Sequence, residues 1–331
     1  MLKQSFFFFV ALLFCFSCER NDKIVKEAEK SDVNVKLQRL DKALFSMDNK
    51  SDARELLNNQ PDFVERYLEL PYPVVDSQFV DIFYNFYTNN DLRAFYEESQ
   101  KEFGDFTEIK KQFNSLFQYI HYYWPDYHVP TIKMVFTGFK FESDIALSDS
   151  SVIISYDYFL GSDARHRPQL YEYFLERYQP PYLVPLTALA ISGGFNNADM
   201  KDESMLASMI YYGKAHYFIE RVMPRLPDSL NIMYSGATLA DVENNIDIIW
   251  GHFIEKSLLY NKIRFINEKY CGERPSIPEI GDKCPGRIGR WLGWQIVRSY
   301  MKANPEVTLQ ELMADPDAEK IFRKSNYKPR K

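Results

Sequence analysis

The chain has 331 residues with 46 acidic and 40 basic side chains, a formal net charge of −6 and no basic block, which excludes the electrostatic footprint of a nucleic-acid binder. Hydrophobic residues make up 46% and aromatic residues 16%, enough for a folded, aromatic-rich globule. Past the N-terminus no apolar run approaches the roughly 20 residues that a membrane-spanning helix needs.

The N-terminus carries Lys3, an unbroken apolar run from Phe6 to Phe16, then Ser17 and Cys18 followed at once by Glu19, Arg20, Asn21 and Asp22. A basic start, a short apolar middle and a small residue before the junction are marks of a secretory signal peptide, and a junction cysteine is what lipoprotein processing requires. The expectation is a signal peptide over residues 1–17, a lipidated Cys18 with a polar tether over 18–31, and a single globular domain over 32–331. A plain signal peptide cleaved elsewhere is the alternative. With lipidation, the acyl group is the membrane anchor.

Along the domain, Val33, Val35 and Leu37 alternate with polar residues as a half-buried strand does. Phe113, Phe117, Ile120 and Trp124 recur at helical spacing up to Pro125. Ile132, Met134 and Phe136 alternate in a second strand, Ser151 to Ser155 reads as a third, and Ser143 to Ser150 reads as a polar turn between them. Pro181 to Ile191 predicts a helix stopped by Gly193 and Gly194, and Asp202 to Met223 another stopped by Pro224. Thr238 with Asp241 predicts the start of a helix carrying Leu239, Val242, Ile246, Ile249 and Phe253. Pro285 opens a last long helix reaching about Ala303. The class is α+β, mainly α-helical with a small β-sheet.

Chemistry-bearing residues are sparse. None of the five histidines begins an H-E-x-x-H, and neither a G-x-S-x-G elbow nor a phosphate loop occurs. The remaining metal candidate joins His216 and Glu220, four apart, to His252 and Glu255, three apart. Against it, Met205, Met209, Tyr212, His216, Ile219 and Met223 form one stripe, which makes His216 a core histidine bonded to a neighbour. No metal or other cofactor is expected. Cys271 and Cys284 lie in a Gly- and Pro-rich loop and are candidates for a disulfide, worth about 3 kcal/mol for a loop of this order; two free thiols are the alternative. In the last helix Arg287, Arg290, Trp291, Trp294 and Arg298 share a face. They form either a wall for an anionic or peptide ligand or an ion network with Glu243 and Asp247. Gly289 and Gly293, four apart, admit a close neighbouring backbone.

The segments Tyr211 to Pro224 (YYGKAHYFIERVMP), Ile249 to Tyr260 (IWGHFIEKSLLY), Pro285 to Met301 (PGRIGRWLGWQIVRSYM) and Ile321 to Lys331 (IFRKSNYKPRK) together resemble the gliding-motility lipoprotein B (GldB) family of Bacteroidota. That resemblance implies a membrane-anchored lipoprotein facing the periplasm, associated with gliding and the secretion machinery coupled to it, with other envelope proteins as partners. The family is in turn similar to zincin-type metallopeptidases in its strand-then-helix order and its G-R-W-x-G-W helix, which implies a degenerate zincin-like fold. Where those enzymes carry their histidine pair, Pro181 to Gly194 offers no ligand. The expected function is a non-catalytic accessory or scaffold protein. Its rivals are a peptide- or cell-wall-binding module built on Arg290 and Trp294, and a metal-dependent hydrolase using His216 and His252.

Overall fold

The protein is described here by a computed structural model covering residues 26–141 and 143–329, so the expected signal peptide and Cys18 lie outside the described residues. The first half runs through β1 (Leu37–Arg39), α1 (Leu40–Phe45), α2 (Lys50–Asn58), α3 (Ser77–Tyr87), α4 (Asn90–Phe103) and α5 (Thr107–Tyr123). Next come β2 (Thr131–Val135), β3 (Ile145–Leu147), β4 (Ser151–Ser155), α6 (Glu172–Leu175) and α7 (Leu183–Ser192). The second half is helical: α8 (Met205–Val222), α9 (Asp228–Ile232), α10 (Gly236–Asn244), α11 (Ile246–Glu255) and α12 (Arg264–Cys271). It closes with α13 (Ile288–Ala303), α14 (Leu309–Ala314) and α15 (Ala318–Ser325). The architecture is α+β, mainly helical with a small sheet. No described helix is long and apolar enough to cross a membrane.

Among the described residues the sheet has four strands in the order β1-β2-β4-β3, parallel except for the edge strand β3. Every residue of β4 and four of five in β2 are buried, the pattern of strands covered on both faces. Strand β3 falls within the stretch expected to be a turn. Its three residues are bracketed by Asp144 and Ser148, too short an apolar run to register as a strand. The first strand is shorter than the alternation implied, because the Val35 N–H donates to Asn114 Oδ1 on α5. The domain also begins before Asp32: Ala28 is fully buried and Glu29 pairs with Arg225.

Two further boundaries differ from expectation. Ser235, not Thr238, caps α10, its hydroxyl accepting the Thr238 N–H, and Asn245 divides the expected single helix into α10 and α11. The expected stripe on α5 holds, with Phe113, Phe117 and Ile120 fully buried.

Helix α8 is the hub. It touches α7, α9, α12, α14 and α15, and above all α13. The crossing with α13 is a backbone contact: a Cβ on Gly213 would stand 2.3 Å from Gly293 O, and one on Gly293 only 1.8 Å from Met209 O. Lys214, beside that contact, is buried and donates to Asn197 O, Met313 O and Asp315 O. Two of its ammonium protons thereby hold the C-terminal end of α14, where carbonyls lack helical partners, and the third ties in the connection after α7 at Asn197.

Gly293→Ala is expected to force α8 and α13 apart and to lower stability by about 3 kcal/mol or more. Gly251→Ala on α11, where nothing lies within 4 Å of the added carbon, is expected to be neutral or stabilising by up to about 1 kcal/mol. Urea unfolding of the two variants beside the parent chain measures both.

Candidate functional site

The face of α13 singled out in the sequence turns inward. Trp294 is fully buried, Trp291 is 3% exposed and the Arg287 residue 8%. Arg298 donates both terminal nitrogens to Asp228 at 2.7 and 2.8 Å and its Nε to Glu220 at 2.7 Å. The same Glu220 oxygen accepts the Trp294 indole N–H at 2.9 Å, and the Arg298 guanidinium lies over that indole, 3.9 Å from the ring centre. Burial works against the Arg298 charge, but Asp228 and Glu220 outweigh it and hold the pKa above its ordinary value.

Arg287 occupies the residue before α13 with φ +61° and donates to Ile232 O at 3.1 Å and Met233 O at 2.8 Å. Those carbonyls close α9, so α13 clasps this short helix at both ends, with Arg298 at Asp228 and Arg287 at its terminal carbonyls. Asn231 completes the grip from α8. It donates to His216 O at 3.0 Å and contacts His216 Nδ1 through its own oxygen at 3.0 Å.

A second knot gathers three arginines on one carboxylate. Glu273 pairs with Arg177 at 2.5 Å, Arg287 at 3.3 Å and Arg290 at 3.5 Å. Burial raises the Glu273 pKa, but Arg287, Arg177 and Arg290 together bring it below the ordinary value. Burial lowers the Arg287 pKa, with Glu273 opposing. Arg290 also donates to Cys271 O at 2.5 Å and lies over the Tyr212 ring.

Several sequence expectations are corrected here. The acidic partners of the arginines are Glu273, Glu220 and Asp228, while Glu243 and Asp247 sit exposed on α10 and α11. One-turn spacing assumed a continuous helix there, and Asn245 instead divides Glu243 and Asp247 between two helices. Cys271 and Cys284 are separate buried thiols. The Cys271 Sγ points at Met205 Sδ, 3.8 Å away, whereas Cys284 Sγ lies against Pro285 O, and burial pushes both thiols up to about 12.

Nor does the structure assemble His216, Glu220, His252 and Glu255 into one ligand set. Glu220 faces Arg298 and Trp294, His252 Nε2 bonds the Tyr270 hydroxyl at 2.8 Å, and Glu255 is exposed. Among the described residues no three histidine, cysteine or acidic side chains converge as metal ligands. Burial keeps the His216 ring neutral, pulling its pKa down to about 3 against the Asn231 hydrogen bond.

Sequence reasoning missed the acids at the carboxyl ends of the parallel strands. Asp41, after β1, accepts the Tyr96 and Tyr156 hydroxyls at 3.1 Å each and pairs with Arg39. Asp157, after β4, accepts from Ser155, Thr137 and the Phe139 N–H, and burial raises its pKa despite those donors. Both hold the segments that leave the strands. The available signal was the run of Ser, Tyr and Asp directly after an apolar strand.

A mainly helical α+β domain whose long helix α13 is locked to its hub by Arg290, Trp294 and Arg298 thus carries the segments singled out in the sequence. The chain belongs to the family described as gliding motility protein GldB, a family of lipoproteins, whose sequence model matches residues 21–329. It is a gliding-motility-type lipoprotein of the cell envelope. No curated protein and no solved structure matches it.

Glu273→Gln is expected to leave the buried Arg287 and the half-buried Arg177 and Arg290 without their shared counter-charge and to cost about 3 kcal/mol, whereas Glu243→Gln stays within about 0.5 kcal/mol. Thermal unfolding distinguishes them. The pH dependence has a definite sign at His216. The folded ring stays neutral down to about 3, while an unfolded histidine takes up its proton near the ordinary value of 6.5. Between those values the unfolded chain binds more protons, so this stability falls as pH falls. His216→Leu is expected to flatten that part of the acid limb in unfolding curves recorded across it.

Proposed function

We propose that this chain is a non-catalytic accessory or scaffold component of the gliding and secretion machinery, held to the membrane through lipid on Cys18 and facing the periplasm. The observation that carries the reading is the inward engagement of the α13 arginines: Arg287 holds Ile232 O, Met233 O and Glu273, and Arg298 holds Asp228 and Glu220. Guanidinium groups saturated by their own chain fix the shape of the domain. A protein so built offers other envelope proteins a rigid outer surface. The family supports the setting, and the sequence, lacking an H-E-x-x-H in the helix from Pro181, supports a role without peptide hydrolysis.

Arg290→Ala tests the choice between framework and ligand wall. It removes the bond to Cys271 O and the contacts with Glu273 and Tyr212, so the variant is expected to melt earlier and to reach the envelope at reduced level. Gliding or secretion, in a strain that has them, should fall only in proportion to the amount present. Normal stability with lost function would make α13 a ligand wall and overturn the reading. For the anchor, Cys18→Ser is expected to leave the detergent phase for the aqueous phase, because acyl chains contribute about 0.8 kcal/mol per buried CH₂. Equal partitioning of both forms contradicts lipidation.

A further inference from the structure

An open cleft of about 500 Å³ lies between the end of α13, the connection that follows it, α14 and α15, within the range of roughly 300 to 1,000 Å³ usual for small-molecule sites. Its walls are fixed by bonds made outside it. Lys214 holds Met313 O and Asp315 O at the end of α14, while the Ser299 hydroxyl and the Asn304 amide hold Ser325 O and Lys324 O at the end of α15. Tyr300 lines the cleft from α13. It is 3% exposed, yet its hydroxyl has no hydrogen-bond partner among the described residues. The charged side chains that act on this hydroxyl, Asp315, Lys320, Glu306 and Glu311, all line the cleft, so the O–H group opens into it. Burial, with Asp315 adding to it, holds the Tyr300 pKa above its ordinary value and keeps the proton on at neutral pH.

Part of the lining charge is already spoken for. Lys320 pairs with Asp315 at 2.7 Å, and Glu311 Oε2 accepts the Thr308 N–H and hydroxyl in the cap of α14. Glu306 and Lys324 are exposed and have no ion-pair partner among the described residues, and Glu311 retains its second oxygen. The cleft therefore offers two carboxylates from the connection and α14, one ammonium from α15, and a hydroxyl that the chain itself does not use.

We propose that this cleft binds a short peptide as a zwitterion, with its ammonium end on Glu306 and Glu311, its carboxylate end on Lys324 and a peptide carbonyl on the Tyr300 hydroxyl. Charge selects the ligand. Once Asp315 and Lys320 neutralise each other, two carboxylates and one ammonium remain, a balance that repels a simple anion and calls for an ammonium group with a carboxylate on the same molecule. Among the described residues no three histidine, cysteine or acidic side chains converge as metal ligands, so the two carboxylates suit an organic cation. Tyr300 is the one ring on the lining, and it is covered, presenting its hydroxyl rather than a face on which a sugar or a base could stack. Val307 and Ala314 add small apolar surface for the carbons of a peptide backbone.

The test titrates the mature chain carrying Cys18→Ser, by calorimetry, with trialanine, N-acetyl-trialanine, trialanine amide and free alanine. Trialanine is expected to bind saturably, and each peptide lacking one end charge about fivefold more weakly. Lys324→Met should abolish the preference for trialanine over its amide and leave the preference over the acetylated form, while Glu306→Gln should do the reverse. Tyr300→Phe removes a hydroxyl that bonds nothing in the chain, so it should keep the parent melting temperature and weaken trialanine about fivefold. Absence of saturable binding by trialanine, equal affinity for the three peptides, unchanged preferences in the Lys324 and Glu306 variants, or parent affinity in Tyr300→Phe overturns the proposal. Free alanine binding as tightly as trialanine overturns it too, because the ligand would then be a single amino acid.

Discussion

Everything in the second half of this chain depends on how closely α8 and α13 cross. Gly213 and Gly293 bring the two backbones together where any side chain would collide, and that proximity removes water from the flanks of the contact. Polar groups in such a seam must find partners, because an unpaired buried donor or acceptor costs about 1 to 3 kcal/mol. Trp294 and Arg298 find Glu220 directly across the seam. The close crossing therefore explains both the glycines and the ion pairs around them.

The same logic accounts for α9. Five residues are too few to stand alone as a helix, since nucleation is unfavourable and the end groups outnumber the internal bonds. Here α13 supplies a guanidinium at each end and α8 supplies His216 in the middle. Such a clasp ties a segment with little stability of its own to the closely crossed pair α8 and α13. The arginines thereby act as framework groups, and recognition falls to surfaces on which they are not engaged.

Much of this was legible in the sequence where a repeating pattern carried it. The α8 stripe placed His216 in the core, the alternation of Ile132, Met134 and Phe136 placed β2, and the β-rich run from Ser151 to Ser155 placed β4, although both strands are covered on both faces. The Gly289 and Gly293 spacing announced a close backbone, and Gly293 meets Met209 O on α8. What escaped was pairing between distant segments. Helical spacing shows which residues share a face, but not which face of another helix lies opposite. Glu243 and Asp247 were thus chosen over Glu273, which sits in a loop without periodicity, and over Asp228, at the head of a five-residue helix. The cysteines escaped for the same reason: nearness in a loop does not determine where two side chains point, and Cys271 points into the helical seam.

The central claim is that α8 and α13 form one indivisible unit, and amide hydrogen exchange under native conditions tests it most directly. Backbones in contact at Gly213 and Gly293 cannot separate without exposing Trp294, Glu220 and Arg298 together. The central amides of both helices should then share the highest protection in the domain and respond identically to added denaturant, opening only with global unfolding. Exchange of α13 amides at markedly lower free energy than those of α8 would contradict the account.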